Sequence, residues 1–127
     1  KSSGVKQDVY YADIQWEQVL KLVQFVKIKF STLTKFHPVK RDLSLLLDEA
    51  VKYSDLEIIA FESERKLLKE VELFDIYQGN KLPEGKKSYA LSFILQSDES
   101  TLADKQIEKI MQKLLKAFQD KLGAELR

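Results

Sequence analysis

The stretch LLKEVELFDIYQGNKLPEGKKSYALSFILQ, residues 67–96, decides the fold, because it holds two alternating runs joined by a turn signal. Successive side chains of a strand point to opposite faces. Over Leu67 to Tyr77 that period places Phe74 and Ile76 on one side and Asp75 and Tyr77 on the other. The returning run, Ser88 to Gln96, sets Tyr89, Leu91, Phe93 and Leu95 against Ser88, Ala90, Ser92 and Ile94. Between the runs, Pro83, Glu84 and Gly85 sit in a polar loop, GNKLPEGK, that reverses the chain. The pair reads as a β-hairpin with one apolar face.

Before the hairpin, Arg41 to Leu47 alternates in the same way, with Leu43, Leu45 and Leu47 opposed to Asp42, Ser44 and Leu46. A helix follows this strand. Ser54 and Glu57 have the S-x-x-E spacing of a capping box, Tyr53 and Ile58 are placed for a hydrophobic staple, and Leu56, Ile59 and Ala60 supply the buried stripe. After the hairpin, Asp104 is a candidate N-cap for a helix in which Ile107, Ile110, Met111, Leu114, Leu115, Phe118 and Leu122 step by three and four. Gly123 stands where a left-handed helix stop is common, and Ala124 to Arg127 can close the sheet as a short strand. From Arg41 onward the order is βαββαβ, an α+β ferredoxin-like sandwich with an antiparallel sheet and two helices on one face.

Residues 1–34 read as an appendage to this unit. Val9 to Ile14 has strand composition, Trp16, Val19, Leu20, Val23 and Val26 recur at helical spacing as far as about Lys27, and Ile28 to Leu33 looks extended. Pro38 biases His37 away from helix, so the chain enters the main domain extended. The boundary is placed there, giving 1–34 and 35–127.

Composition narrows the function classes. The 127 residues hold 21 Lys and Arg against 20 Asp and Glu, a net charge of +1, with 44% hydrophobic residues and no cysteine. A domain that held nucleic acid by bulk charge would be more basic, so any RNA contact must be local. Without cysteine there is neither a disulfide framework nor a thiolate metal site, which suits a reducing cytoplasm. The apolar runs are too short to cross a bilayer and no charged-then-apolar leader opens the chain.

Catalytic chemistry has little to work with. His37, the only histidine, stands beside a proline with no metal-ligand spacing around it. Gly85-Lys86-Lys87-Ser88 superficially suggests a phosphate-binding loop, but Gly79 is one residue too far away and a strand follows Ser88. Glu57, Glu62, Glu64 and Glu70 are scattered as on a solvated helix surface.

The sheet is more informative. The face opposite the apolar one carries Ser44, Asp75, Tyr77, Ser88, Ala90 and Ser92, one ring among small polar groups. Both helices should cover the side bearing Leu43, Phe74 and Phe93, leaving the other as an open platform. Single-stranded RNA loops are read on such surfaces, a base stacking on the ring while polar groups reach its edge. The competing reading is an ordinary solvated sheet face, or one covered by residues 1–34.

Four motifs in this order, FHPVKRDL at 36–43, FDIY at 74–77, LPEGKKS at 82–88 and the closing ELR, resemble the C-terminal anticodon-binding domain of the bacterial phenylalanyl-tRNA synthetase beta subunit. The resemblance runs from about Lys35 to Arg127. GVKQDVYYADIQW, residues 4–16, also resembles the tail of the catalytic-like module that precedes this domain, so the chain is expected to be part of a larger protein. Two departures stand out: IIAFESERKLLKEV, where relatives tend to have a smaller glycine-containing turn, and Asn80 with Lys81 in the hairpin loop.

The resemblance implies that the platform grips the anticodon stem-loop of the phenylalanine tRNA at its wobble base. Tyr77 would stack on that base, Asp75 would accept its amino or imino protons, and Ser88 would donate or accept. Ser44 would act by backbone proximity. Arg41 and Asp42 match the family's Arg-Asp pair, either as an ion pair anchoring the strand or with Arg41 facing RNA. Lys86, Lys87 and Arg127 are expected at phosphates, or as solvated ends. The implied holoenzyme is a cytoplasmic heterotetramer whose alpha subunit charges tRNA with phenylalanine using ATP and Mg2+, with no cofactor in this fragment. The alternative from another class is a ferredoxin-like regulatory or protein-interaction module, such as an amino-acid-binding one. Such modules tend to place a glycine after the first strand, and Asp48 to Tyr53 has none. A stand-alone enzyme is the weakest reading, since no acid, base and nucleophile converge.

Overall fold

A computed structural model describes residues 4, 7–27, 29–30 and 34–127. The chain divides into two compact units, Lys1–Leu33 and Thr34–Arg127. In the first, helix α1 spans Trp16–Val23, stops short of the expected Lys27, and has no buried residue. Val9 to Ile14 forms no strand. Among the described residues of this unit there is no strand, and a β-prone sequence without a partner for its backbone groups has nothing to pair with. The expected extended segment 28–33 lies largely outside the described residues.

The second unit contains strand β1 (Val39–Asp48), helix α2 (Tyr53–Ser63), strands β2 (Leu68–Tyr77) and β3 (Lys86–Leu95), helix α3 (Asp104–Leu122) and the two-residue strand β4 (Glu125–Leu126). The sheet order is β2-β3-β1-β4, every neighbouring pair antiparallel. This is the ferredoxin-like βαββαβ arrangement expected from the sequence. The Asp42↔Ser92, Ser44↔Ala90 and Leu46↔Ser88 pairs of β1 and β3 share one face, while Leu45↔Tyr89, Leu43↔Leu91 and Arg41↔Phe93 share the other.

The helix-side face builds the core. Leu45, Leu47, Leu91, Phe93 and Leu95 from the sheet meet Leu56, Ile59 and Ala60 of α2 and Ile107, Ile110, Leu114 and Phe118 of α3, all buried. The rings of Phe93 and Phe118 lie 6.1 Å apart at a tilt of 35°. Gly123 ends α3 in the left-handed conformation at φ 62°, its N–H bonded to the Gln119 carbonyl. A side chain with a Cβ is strained there, which is why glycine is favoured at this stop.

Several local expectations are corrected. The first turn of α2 is closed by Asp55, whose carboxylate accepts the Lys52 N–H at 3.0 Å, and not by Ser54 and Glu57. The staple is absent as well. Ile58 is 57% exposed, and Tyr53 instead donates its hydroxyl to the Val71 carbonyl of β2 at 2.6 Å. At α3, Ala103 is the N-cap and Asp104 the first helical residue, with the Gln106 side chain accepting the Ala103 N–H. The end of α2 closes without glycine, because the Glu64 carboxylate accepts the N–H groups of Lys66 and Leu67.

The largest correction concerns β2. Its register against β3 shifts between Leu68 and Glu70 and again between Leu73 and Asp75. Val71 and Leu73 therefore pair with Phe93 and Leu91 on the helix side, while Phe74 falls at the irregularity and is 57% exposed. An extra residue in one strand resets the alternation on either side of it. Ile76 does share a face with Tyr89 but is 53% exposed.

Tyr53→Phe tests the tie between α2 and β2. Removing the hydroxyl leaves the Val71 carbonyl without this donor and should cost about 1 kcal/mol. Burial, and secondarily the nearby Glu57, hold the Tyr53 hydroxyl above its ordinary pKa. A raised phenol contributes stability that is complete below its unfolded pKa of about 10 and is lost as pH rises through the folded value. Urea melts of the wild type should therefore show an alkaline loss of stability above about pH 10 that Tyr53→Phe reduces.

Candidate nucleic-acid interface

The face opposite the helices is built by alternation. β1 contributes Lys40, Asp42, Ser44 and Leu46, β3 contributes Ser88, Ala90, Ser92 and Ile94, and their β2 partners are Tyr77 against Ser88, Asp75 against Ala90 and Glu72 against Ser92. Ser44, Asp75, Tyr77 and Ser88 thus come together on one surface. The second irregularity in β2 leaves Asp75 and Tyr77 on this side, although it displaces Phe74.

The surface is less open than alternation alone suggests. Ser92 is fully buried and donates its hydroxyl to the Asp42 carboxylate at 2.6 Å. The hydroxyls of Ser44 and Ser88 are 3.3 Å apart, and Ser88 is only 3% exposed. These short polar pairs satisfy one another beneath the outer side chains. Asp75 is exposed at the edge strand and Tyr77 is half-buried.

Arg127 reaches into this surface from the opposite edge. Its backbone N–H is bonded to the Ser44 carbonyl, and its guanidinium carbon stands 5.1 Å from the centre of the Tyr77 ring. With β2 and β4 three spacings apart, roughly 14 Å, the Arg127 and Tyr77 side chains reach toward each other across the two strands between them. Tyr77 therefore already has a planar cation against its ring. On its other flank the phenol lies close to Gly79, where an added Cβ would be 2.9 Å from the hydroxyl oxygen.

The remaining candidate residues divide by face. Lys86 is on the platform side, bound to Asp48 at 2.7 Å, and that hydrogen bond raises its pKa above the ordinary lysine value. Lys87 lies on the other side, 7% exposed, its ammonium donating to the Glu49 carbonyl at 2.8 Å and standing 4.6 Å over the Tyr89 ring. It anchors the loop after β1 and is not presented to the platform. Arg41 also points to the helix side, its guanidinium 3.8 Å from Asp104, whereas Asp42 binds Ser92. The expected Arg41–Asp42 ion pair is absent, because neighbours in a strand face opposite ways. The platform also carries acids, with Glu72 paired to Lys40 at 3.2 Å. Any phosphate contact therefore falls to single residues such as Arg127 and Lys86. Among the described residues no group of three or more His, Cys, Asp or Glu could hold a metal ion. No described helix is long and apolar enough to cross a membrane.

The model of the ferredoxin-fold anticodon binding domain family matches residues 34–127, the whole of the βαββαβ unit and its entry. The chain belongs to this family. It is 54% identical over its full 127 residues to the phenylalanine–tRNA ligase beta subunit of Bacteroides fragilis, and 50% identical over the same length to that of Porphyromonas gingivalis. To the Clostridium tetani protein of the same name it is 37% identical over 123 residues, 97% of this chain and 15% of that one. The chain spans 16% of the length of the Bacteroides and Porphyromonas relatives. Within this anticodon-binding fold, the polar face and its ring are where alternation placed them. Gly79 and the span of Arg127 were not legible, since each acts through a residue to which the sequence pattern does not connect it.

Proposed function

We propose that this chain is the anticodon-arm-binding part of a phenylalanine–tRNA ligase beta subunit, with the surface around Tyr77 receiving a base of the tRNA anticodon. The observation that carries this is the convergence of Tyr77, Asp75, Ser44 and Ser88 on the sheet face opposite α2 and α3 in an anticodon-binding fold. A half-buried ring beside an exposed carboxylate suits a splayed base, the ring taking its face and Asp75 accepting N–H groups from its edge. Ser88 and the Ser44 backbone would line the floor. Arg127 and Lys86 would supply local cations for phosphates.

The remainder of the longer enzyme would hold ATP, Mg2+ and phenylalanine, in a cytoplasmic assembly with an alpha subunit. Residues 1–34 would be the tail of the module preceding the anticodon-binding domain. Their exposed apolar side chains support this: Trp16 is 67%, Phe25 84% and Phe30 90% exposed. Large apolar surface of that kind ordinarily packs against a partner.

The full ligase provides the test. Changing Asp75 or Tyr77 should raise the KM for tRNA or lower kcat/KM for tRNA while leaving phenylalanine-dependent pyrophosphate exchange, which needs no tRNA, nearly unchanged. A large loss of exchange would place these residues in support of the synthetic site and end the anticodon reading.

A further inference from the structure

Tyr77 has a neighbour that matters by what it lacks. Gly79 is the residue two positions on, at the start of the hairpin loop, and a Cβ there would stand 2.9 Å from the Tyr77 hydroxyl oxygen and 3.1 Å from Cζ. Contacts that short cannot be kept. The loop's other glycine is different in kind: Gly85 has φ 75° and open space around its missing Cβ. Gly85 answers a backbone demand, whereas Gly79, whose φ is not in the left-handed region, answers a side-chain one.

We propose that Gly79 is a positioning residue for Tyr77: its bare Cα lets the phenol lie against the loop, which turns the ring face inward over the platform to meet Arg127, and later a base. The proposal rests on the platform reading for its binding half only. The ring is held between two constraints, the loop at its hydroxyl end and the Arg127 guanidinium 5.1 Å from its centre. Adding one methyl at position 79 pushes on the far end of a movable side chain, so the ring yields and the strands do not.

The 127-residue chain, its Gly79→Ala, Gly85→Ala and Tyr77→Ala variants and the Gly79→Ala/Tyr77→Ala double variant decide it. Without RNA, proton NMR of the Arg127 side chain reads the ring current of Tyr77, recognised as the shift that Tyr77→Ala abolishes. Gly79→Ala should lose most of that shift with little change in melting temperature, and Gly85→Ala should keep it. A retained shift in Gly79→Ala, its loss in Gly85→Ala, or a collapsed melting temperature in Gly79→Ala would overturn the proposal. In titrations with a synthetic anticodon stem-loop, Gly79→Ala should bind about five- to tenfold more weakly, a part of what losing a stacked ring costs. It should add nothing in the Tyr77→Ala background, since both changes act through one ring. An equal loss in that background, or unchanged affinity with the ring displaced, would overturn the binding role. If wild type itself ignores the stem-loop, the anticodon reading fails, while the ring-current comparison still decides what Gly79 does.

Discussion

Phe93→Ala is expected to destabilise the Thr34–Arg127 unit by about 3–5 kcal/mol. Phe93 of β3 is fully buried, packs against Phe118 of α3, and belongs to one core with Leu45, Leu91 and Leu114, which are also fully buried. Truncation removes the transfer free energy of the ring and leaves a cavity that two helices and a four-stranded sheet cannot close without shifting together. Whole domains are stable by only about 5–15 kcal/mol. For a domain of this size each kcal/mol moves the melting temperature by roughly 4–8 °C, so the thermal shift should exceed about 12 °C. A thermal melt that coincided with wild type would put the ring outside the core and invert the assignment of the two sheet faces.

Tyr77→Ala should do the opposite. Loss of a stacked ring is expected to weaken binding of the tRNA by about 1–3 kcal/mol. The fold should survive, because the ring lies on the face away from both helices and its exposed contact with Arg127 is worth at most about 1 kcal/mol. Circular dichroism melts beside tRNA titrations separate the two effects. A variant that melted far below wild type would show the ring to be structural. The affinity of the chain for RNA should itself be modest, since the net charge is +1 and few cations reach the platform, and with so few phosphate contacts it should fall only gently with salt. Lys87, locked onto the Glu49 carbonyl on the other side of the sheet, should contribute nothing to that salt dependence.

The contrast between β3 and β2 shows what alternation can and cannot say. In β3 the phase is unbroken, so Leu91, Phe93 and Leu95 are buried as read from their spacing and Ser88, Ala90 and Ser92 take the other face. In β2 two irregularities reset the phase, and a simple period put Phe74 under the helices when Leu68 and Val71 are the buried residues. Nothing in the composition of VELFD marks where the extra residue falls. Caps were misplaced for a related reason. Ser54 matches the capping pattern, but the helix starts at Tyr53, whose hydroxyl is tied to the Val71 carbonyl of β2, and Asp55 closes the first turn on the Lys52 N–H.

The sequence by itself determined the order of elements, the long apolar stripe of α3 and the side of the sheet on which Ser44, Asp75, Tyr77 and Ser88 meet. Those features follow from periods of two and of three to four residues, which are local and survive in any environment that buries one face. Only the tertiary structure decided that Arg127 lies over Tyr77, that Ser92 holds Asp42, that Lys87 turns inward and that Gly79 makes room for a phenol. Three of these four, Gly79 being the exception, join residues far apart in the chain, and all four depend on register, on which edge each strand occupies and on the path of a loop. None of those is a periodic property of the residues concerned.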